Sequence, residues 1–243
     1  MKPGLAKTIT QSAVRAWKWF CYIVGTIVLV IALVQGWFFA HIVWWKFFNP
    51  WETSFQSARL SELRESDPKA VLEYEWIDYA KISNNVKRAV LVAEDAKFFG
   101  HEGFDFEGIQ RALDKNKKQG AAIAGGSTIT QQLAKNLFLS GERSYARKGQ
   151  EAIITVMLEA VLTKERIFEI YLNVAEWGEG VFGCEAGARH YYKVSCAQAT
   201  PEQASRLAAM LPRPRFYDKN RNTSYLGAYA ARIYARMSQA QLP

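Results

Sequence analysis

The chain has 243 residues, 49% hydrophobic and 22% charged, with a formal net charge of +8. That length holds one anchor and one cored domain, or two small domains, and the composition excludes a disordered chain. The basic balance fits nucleic acid, an anionic membrane surface or a phosphate-bearing substrate, but no zinc-finger spacing, aromatic RNA-binding motif or polybasic tail supports nucleic acid.

Residues 1–18 carry Lys2, Lys7, Arg15 and Lys18 and no acid, and residues 19–45 contain no Asp, Glu, Lys or Arg. A bilayer core needs about 20 helical residues, and this run supplies them. Trp17 and Trp19 flank one end, and Trp37, Trp44 and Trp45 the other, as interfacial aromatic belts do. The positive flank predicts a cytoplasmic N-terminus with the remainder across the membrane. A cleaved signal peptide is the rival. The run is long for one, and Trp37-Phe38-Phe39-Ala40-His41 lacks the small-residue cleavage pattern. The expected division is therefore 1–18 cytoplasmic, 19–45 transmembrane, 46–80 connecting, and 81–243 one mostly helical domain.

In the connecting region Asn49-Pro50 breaks the helix, Asp67-Pro68 marks a second boundary, and residues 71–77 suit a short strand. Ser66-Asp67-Pro68-Lys69 and Ser83-Asn84-Asn85 match two signatures of penicillin-binding acyl enzymes. No Lys-Thr-Gly follows and Ser66 stands just before Asp67-Pro68, so both are rejected.

Val86, Ala89, Val90 and Ala93 then recur at helical spacing, so one helix face runs into Glu94 and Asp95. Phe98, Phe99, Phe104 and Phe106 offer an apolar wall beside them. A carboxylate at the end of a buried face beside aromatics has a raised pKa, which suits a general base or acid near neutral pH. The plainer alternative is a cap or salt bridge to the next element. Asp105 is placed to cap a helix over 106–113, followed by a basic, glycine-ended stop at 115–120. Residues 121–126 are small, and suit either a mobile loop over a cleft or a weakly ordered connection.

Ser127 or Thr128 caps a helix whose apolar face is Ile129, Leu133 and Leu137. Its N-terminus follows Gly125-Gly126 and offers free N–H groups to an anion. Ser144 caps a long helix with Ile154, Met157, Leu158, Val161 and Leu162 inward. On it Arg147, Lys148 and Glu151 share a face, either as a solvated ion-pair surface or as a phosphate grip. Thr163 caps a helix through Asn173, and Thr200-Pro201-Glu202-Gln203 is a capping box with proline at the first position. An amphipathic helix over 225–237 closes the chain. Cys184 and Cys196 pair in an oxidising compartment or serve as small core residues, and spacing leaves both open.

Four segments together resemble the family 51 glycosyltransferases of bacterial cell-wall synthesis. Glu94-Asp95-x-x-Phe98-x-x-His101-x-Gly103 is the first. Gly125-x-Ser127-Thr128-Ile129-Thr130-Gln131-Gln132, with Lys135 and Asn136, is the second. Arg147-Lys148-x-x-Glu151 is the third, and Lys164-x-x-Ile167-x-Glu169-x-Tyr171-Leu172-Asn173 the fourth. The match covers roughly residues 85–215. With one anchor and no transpeptidase signature, the chain resembles the monofunctional members, in the form found in Gram-negative bacteria.

The resemblance implies a lysozyme-like, mainly α domain of two lobes over 81–243, periplasmic behind an inner-membrane anchor. It implies lipid II and the growing glycan strand as substrates and membrane lipid as surroundings, and leaves room for other cell-wall synthesis or division proteins as partners. By resemblance Glu94 is the general base, and Glu151 acts beside the pyrophosphate leaving group through cations or a divalent metal (Mg2+ or Mn2+). Lys135, Arg147 and Lys148 would supply charge. Asp95, Phe98, His101, Ser127, Thr128, Gln131, Gln132 and Asn136 would complete the substrate site. The rival within the same fold is a lysozyme-like lytic enzyme, which needs the carboxylate and not the cations. A non-enzymatic anchored scaffold needs neither.

Overall fold

The computed structural model describes residues 3–119, 125–139, 141 and 144–243. The expected end of the basic stop at Gly120 and most of the small-residue run after it lie outside the described residues.

The chain begins with α1 (Pro3–Trp45), whose stretch Val14–Trp45 has mean hydropathy 2.3 and is almost wholly uncovered by protein. The helix therefore starts well before the expected span, because nothing between Pro3 and Asn49-Pro50 breaks it. Among the described residues ten further helices follow: α2 (Ser54–Ser66), α3 (Asn84–Glu94), α4 (Phe106–Gln119), α5 (Ile129–Phe138), α6 (Tyr145–Val161), α7 (Lys164–Val174), α8 (Cys184–Tyr192), α9 (Pro201–Met210), α10 (Pro214–Lys219) and α11 (Ser224–Arg236). Ser83, Thr128, Ser144, Thr163, Thr200 and Thr223 each accept a first-turn amide, so most helix starts are set by a side-chain cap. Asp105 does the same for α4, accepting the Gly108 amide at 2.9 Å.

The helix α2 falls inside the stretch expected only to connect. It packs on α5, and a Thr53–Gln56 capping box starts it. A three-stranded sheet of order β1-β3-β2 sits beside it, made of β1 (Glu73–Tyr74), β2 (Glu176–Gly178) and β3 (Val181–Phe182). The expected strand over 71–77 shrinks to two residues. Ile77 gives its N–H to Asn173 Oδ1 at 2.8 Å and its carbonyl accepts Asn173 Nδ2 at 2.9 Å, which takes it out of any ladder.

The centre of the domain is α5, with Ile129, Leu133, Ala134 and Leu137 buried against α2, α6 and α7. A second layer is α9, packed on α3 and α11. The end of α1 joins this core: Phe38, Ile42 and Trp45 are buried, and Phe38 and Trp45 meet Phe138 at ring distances of 4.9 and 5.0 Å. Arg166 closes the junction, donating to the carbonyls of Trp45 (2.9 Å) and Phe48 (2.7 Å) and to Asn49 Oδ1 (2.9 Å). A guanidinium there satisfies the last carbonyl of α1 and meets the negative end of its dipole. Cys184 and Cys196 are both buried free thiols.

Candidate active site

The helix α3 ends by delivering two carboxylates to opposite tasks. Asp95 turns inward and is 7% exposed. Both of its oxygens lie 3.0 Å from His101 Nε2, and Oδ2 accepts the Ile129 amide at 3.1 Å. It thus fixes the first turn of α5. Thr128 Oγ1 donates to the Gly103 carbonyl at 2.6 Å, and Gln131 closes the capping box. Gly103 has φ +83°, and a Cβ there would meet Thr155 Cγ2 at 2.7 Å, so both the turn and the close approach require glycine. Phe98 is wholly buried, 5.6 Å from Phe168, with Lys164 Nζ 4.5 Å over its ring. Asp95, Phe98, His101, Thr128 and Gln131 therefore form the frame that sets α3 against α5. The expected aromatic wall is only partly built: Phe106 is 76% exposed and stacks on Phe104 instead.

Glu94 faces the other way. Its Oε2 accepts Gln132 Nε2 at 2.7 Å, and Gln132 Oε1 accepts the Tyr171 hydroxyl at 3.1 Å. The tyrosine thereby fixes which end of the amide meets the carboxylate. Glu94 Oε1 is buried and has no hydrogen-bond partner, so one oxygen is left to accept a proton. Burial pushes the Glu94 carboxyl up from its ordinary value. The Gln132 hydrogen bond and the Lys135 charge pull against the rise, and Asp95 adds to it.

Two cavities meet near this pair, and Gln132 lines both. The first, about 530 Å³, lies between Phe55 and Arg59 of α2, the α5 residues Lys135 and Asn136, Tyr171, and the run 211–216. Arg213 and Arg215 come from that run. Arg213 stacks on Phe216 at 4.4 Å, and Arg215 pairs with Glu62 at 2.6 Å. Arg59 is bound to Glu176 at 2.7 and 3.1 Å, a buried pair that ties α2 to β2. The second cavity, about 500 Å³, holds Glu94, Ser127, Lys115 and a face of α11.

The third motif forms a cluster of its own. Glu151 is 4% exposed and clasped by Arg147 Nη1 at 2.8 Å and by Lys148 Nζ. Burial lowers the pKa of Lys135; the charges of Glu151 and Glu94 oppose that, while Arg147 and Lys148 reinforce it. Lys135 is thus the group that couples this cluster to Glu94. The structure brings Glu94, Gln132, Lys135 and Asn136 to the cavities, with Arg147, Lys148 and Glu151 behind Lys135, and leaves Ser127 exposed at the rim.

Arg59, Arg213 and Arg215 were missed in the sequence. Pro212-Arg213-Pro214-Arg215 holds two arginines on a stiffened run, a signal that reads first as a helix stop. The groups present do not make a metal cage. Among the described residues no three His, Cys, Asp or Glu converge, and both Glu151 oxygens are taken by cations.

Comparison with known proteins gives this geometry a context. The model of the transglycosylase family matches residues 61–238. A biosynthetic peptidoglycan transglycosylase of Herminiimonas arsenicoxydans is 56% identical over 216 residues, covering 89% of this chain and 94% of the relative. A protein of the same name from Janthinobacterium sp. (strain Marseille) is 59% identical over the same shares. Another, from Nitrosospira multiformis, is 55% identical over 93% of this chain and 98% of its own length. The chain belongs to the transglycosylase family: it is a peptidoglycan glycosyltransferase with a mainly α, lysozyme-like domain behind one N-terminal apolar helix.

Proposed function

We propose that the protein polymerises lipid II into β-1,4 glycan strands with Glu94 as general base. The observation that carries this reading is the enclosed Glu94 carboxylate, hydrogen-bonded through one oxygen and unpaired through the other. Glu94 Oε1 takes the proton of the 4-hydroxyl of an acceptor GlcNAc. That oxygen attacks the anomeric carbon of the donor strand's MurNAc from the face opposite the leaving group, so configuration inverts. The bond to the lipid pyrophosphate breaks, and the negative charge it gathers is met by Lys135, Arg213 and Arg215 in the first cavity. Arg147 and Lys148, held by Glu151, add to the field at Lys135.

The apolar helix fits the same reading. A substrate with a long isoprenoid tail leaves a bilayer only at a cost of about 0.8 kcal/mol per CH₂, so the site must come to the membrane. We infer that α1 crosses the cytoplasmic membrane with Lys2, Lys7, Arg15 and Lys18 on the inner side, and that the domain stands in the periplasm.

The test is incubation of the detergent-solubilised full chain with labelled lipid II, followed by muramidase digestion. Muramidase-sensitive polymer that falls by about 10²–10⁴-fold in Glu94→Gln is expected. Polymer that persists in this variant sinks the base assignment. Cleavage of intact sacculi without polymer moves the activity to lysis.

A further inference from the structure

The helix α11 presents two faces. Leu226, Ala230 and Ile233 are buried against the core, with Met237 continuing the row. Beside them Tyr225, Tyr229, Arg232 and Arg236 recur at steps of four, three and four, which sets them in one line along the helix. All four line the second cavity, which Glu94, Gln132 and Ser127 line as well. Tyr229 Oη donates to the carbonyl of Ala93 at 3.1 Å, so the line is pinned to the residue before Glu94. The two tyrosine rings lie 6.2 Å apart at 38°, and the Arg232 guanidinium is 5.5 Å from the Tyr229 ring centre. Among the described residues no carboxylate pairs with Arg232 or Arg236.

The second cavity thus sets two aromatic rings in line with two unmatched guanidinium forks, with Lys115 on the same lining. Tyrosine faces take the apolar side of a sugar ring, and an arginine fork matches a carboxylate with two parallel hydrogen bonds. A peptide hung from a sugar presents at least its terminal carboxylate. We propose that this cavity is a sugar-peptide subsite: the sugar lies over Tyr225 and Tyr229, and carboxylates of its peptide pair with Arg232 and Arg236. The subsite makes the enzyme selective for strands whose peptides carry free carboxylates. The proposal rests on the reading of the site as a lipid II polymerase, and it adds a specificity that the reaction itself does not demand.

The test uses two lipid II preparations, one with free peptide carboxylates and one with those carboxylates converted to neutral amides. Polymerisation by the full chain is measured on each. In parallel, binding of the soluble disaccharide-peptide, acid and amide, is followed by tyrosine and tryptophan fluorescence. The wild type should prefer the acid by about tenfold in kcat/KM and in affinity, carried by KM. In the double variant Arg232→Gln/Arg236→Gln the ratio should fall to near one, and the matching Lys/Lys variant should recover part of it. Polymerisation without preference in the wild type overturns the subsite and leaves the polymerase standing. An equal loss on acid and amide in the double variant also overturns it, because the arginines then serve another group. Acid-selective binding that the double variant loses, in a protein that forms no polymer, removes the polymerase and keeps the subsite.

Discussion

Glu94 sits where burial works against its ionised form. Its folded pKa is raised, chiefly by burial, so the folded state favours the protonated form. The stability this brings is full below the unfolded pKa and is lost as pH rises through the folded one. At neutral pH the ionised carboxylate is therefore a strain on the fold, and Glu94→Gln should raise Tm while removing turnover, read by calorimetry beside the polymerisation assay. Lys135 moves the opposite way, its pKa lowered first by burial. kcat/KM should then follow a bell whose acid limb lies above the ordinary carboxylate range and whose alkaline limb lies below the ordinary lysine range. A pH profile of wild type and Lys135→Arg checks this, since an arginine stays charged and should carry the alkaline limb upward. At this scale the sequence was half legible. It placed Glu94 and Asp95 side by side and could not say that one faces the cavity and the other holds Ile129 and His101, because spacing fixes proximity along a helix and not the turn after it.

Among the elements, α1 and α6 are joined by a reciprocal amide pair: Gln35 Nε2 donates to Gln150 Oε1 at 2.8 Å, and Gln150 Nε2 to Gln35 Oε1 at 3.0 Å. Gln150 adjoins Glu151, so the anchor touches the helix that carries the cation cluster. Removing one partner leaves the other amide half-buried and unpaired, whereas removing both does not. Gln35→Leu and Gln150→Leu should each lower stability by about 1 kcal/mol, and the double variant should recover most of the loss. Thermal melts of the four proteins in one detergent read the cycle. Most helices were legible because their starts carry caps and their apolar residues repeat; α8 and α10, which start without a side-chain cap in glycine- and proline-punctuated stretches, were not. The sheet was not, since strands of two or three residues hold no period and β1 pairs with β3 from more than 100 positions away, at Val181. Nor was α2, whose polar surface hides the buried Arg59–Glu176 pair.

Across the whole molecule, the anchor belongs to the core. Phe38, Ile42 and Trp45 are buried by the domain, and each such side chain contributes about 1.5–3 kcal/mol. A chain lacking residues 1–34 should keep the domain's melting temperature in detergent. One lacking residues 1–45 should lose about 5 kcal/mol and expose Phe138, read as a lower Tm and as aggregation on removal of detergent. Equal melting of the two truncated chains would show that the junction adds nothing. The expected boundary at residue 45 follows the return of charge at Lys46, which marks where the apolar run ends and not where α1 first meets the domain, at Phe38.

The Arg166 clamp has a consequence for motion. It fastens the carbonyls of Trp45 and Phe48 and the Asn49 side chain to α7 in one grip, just where the helix leaves the apolar run and the domain begins. If α1 crosses a bilayer as proposed, this grip passes the tilt of the helix on to the domain, and the cleft would then keep one elevation above the surface, with a strand leaving it at one pitch.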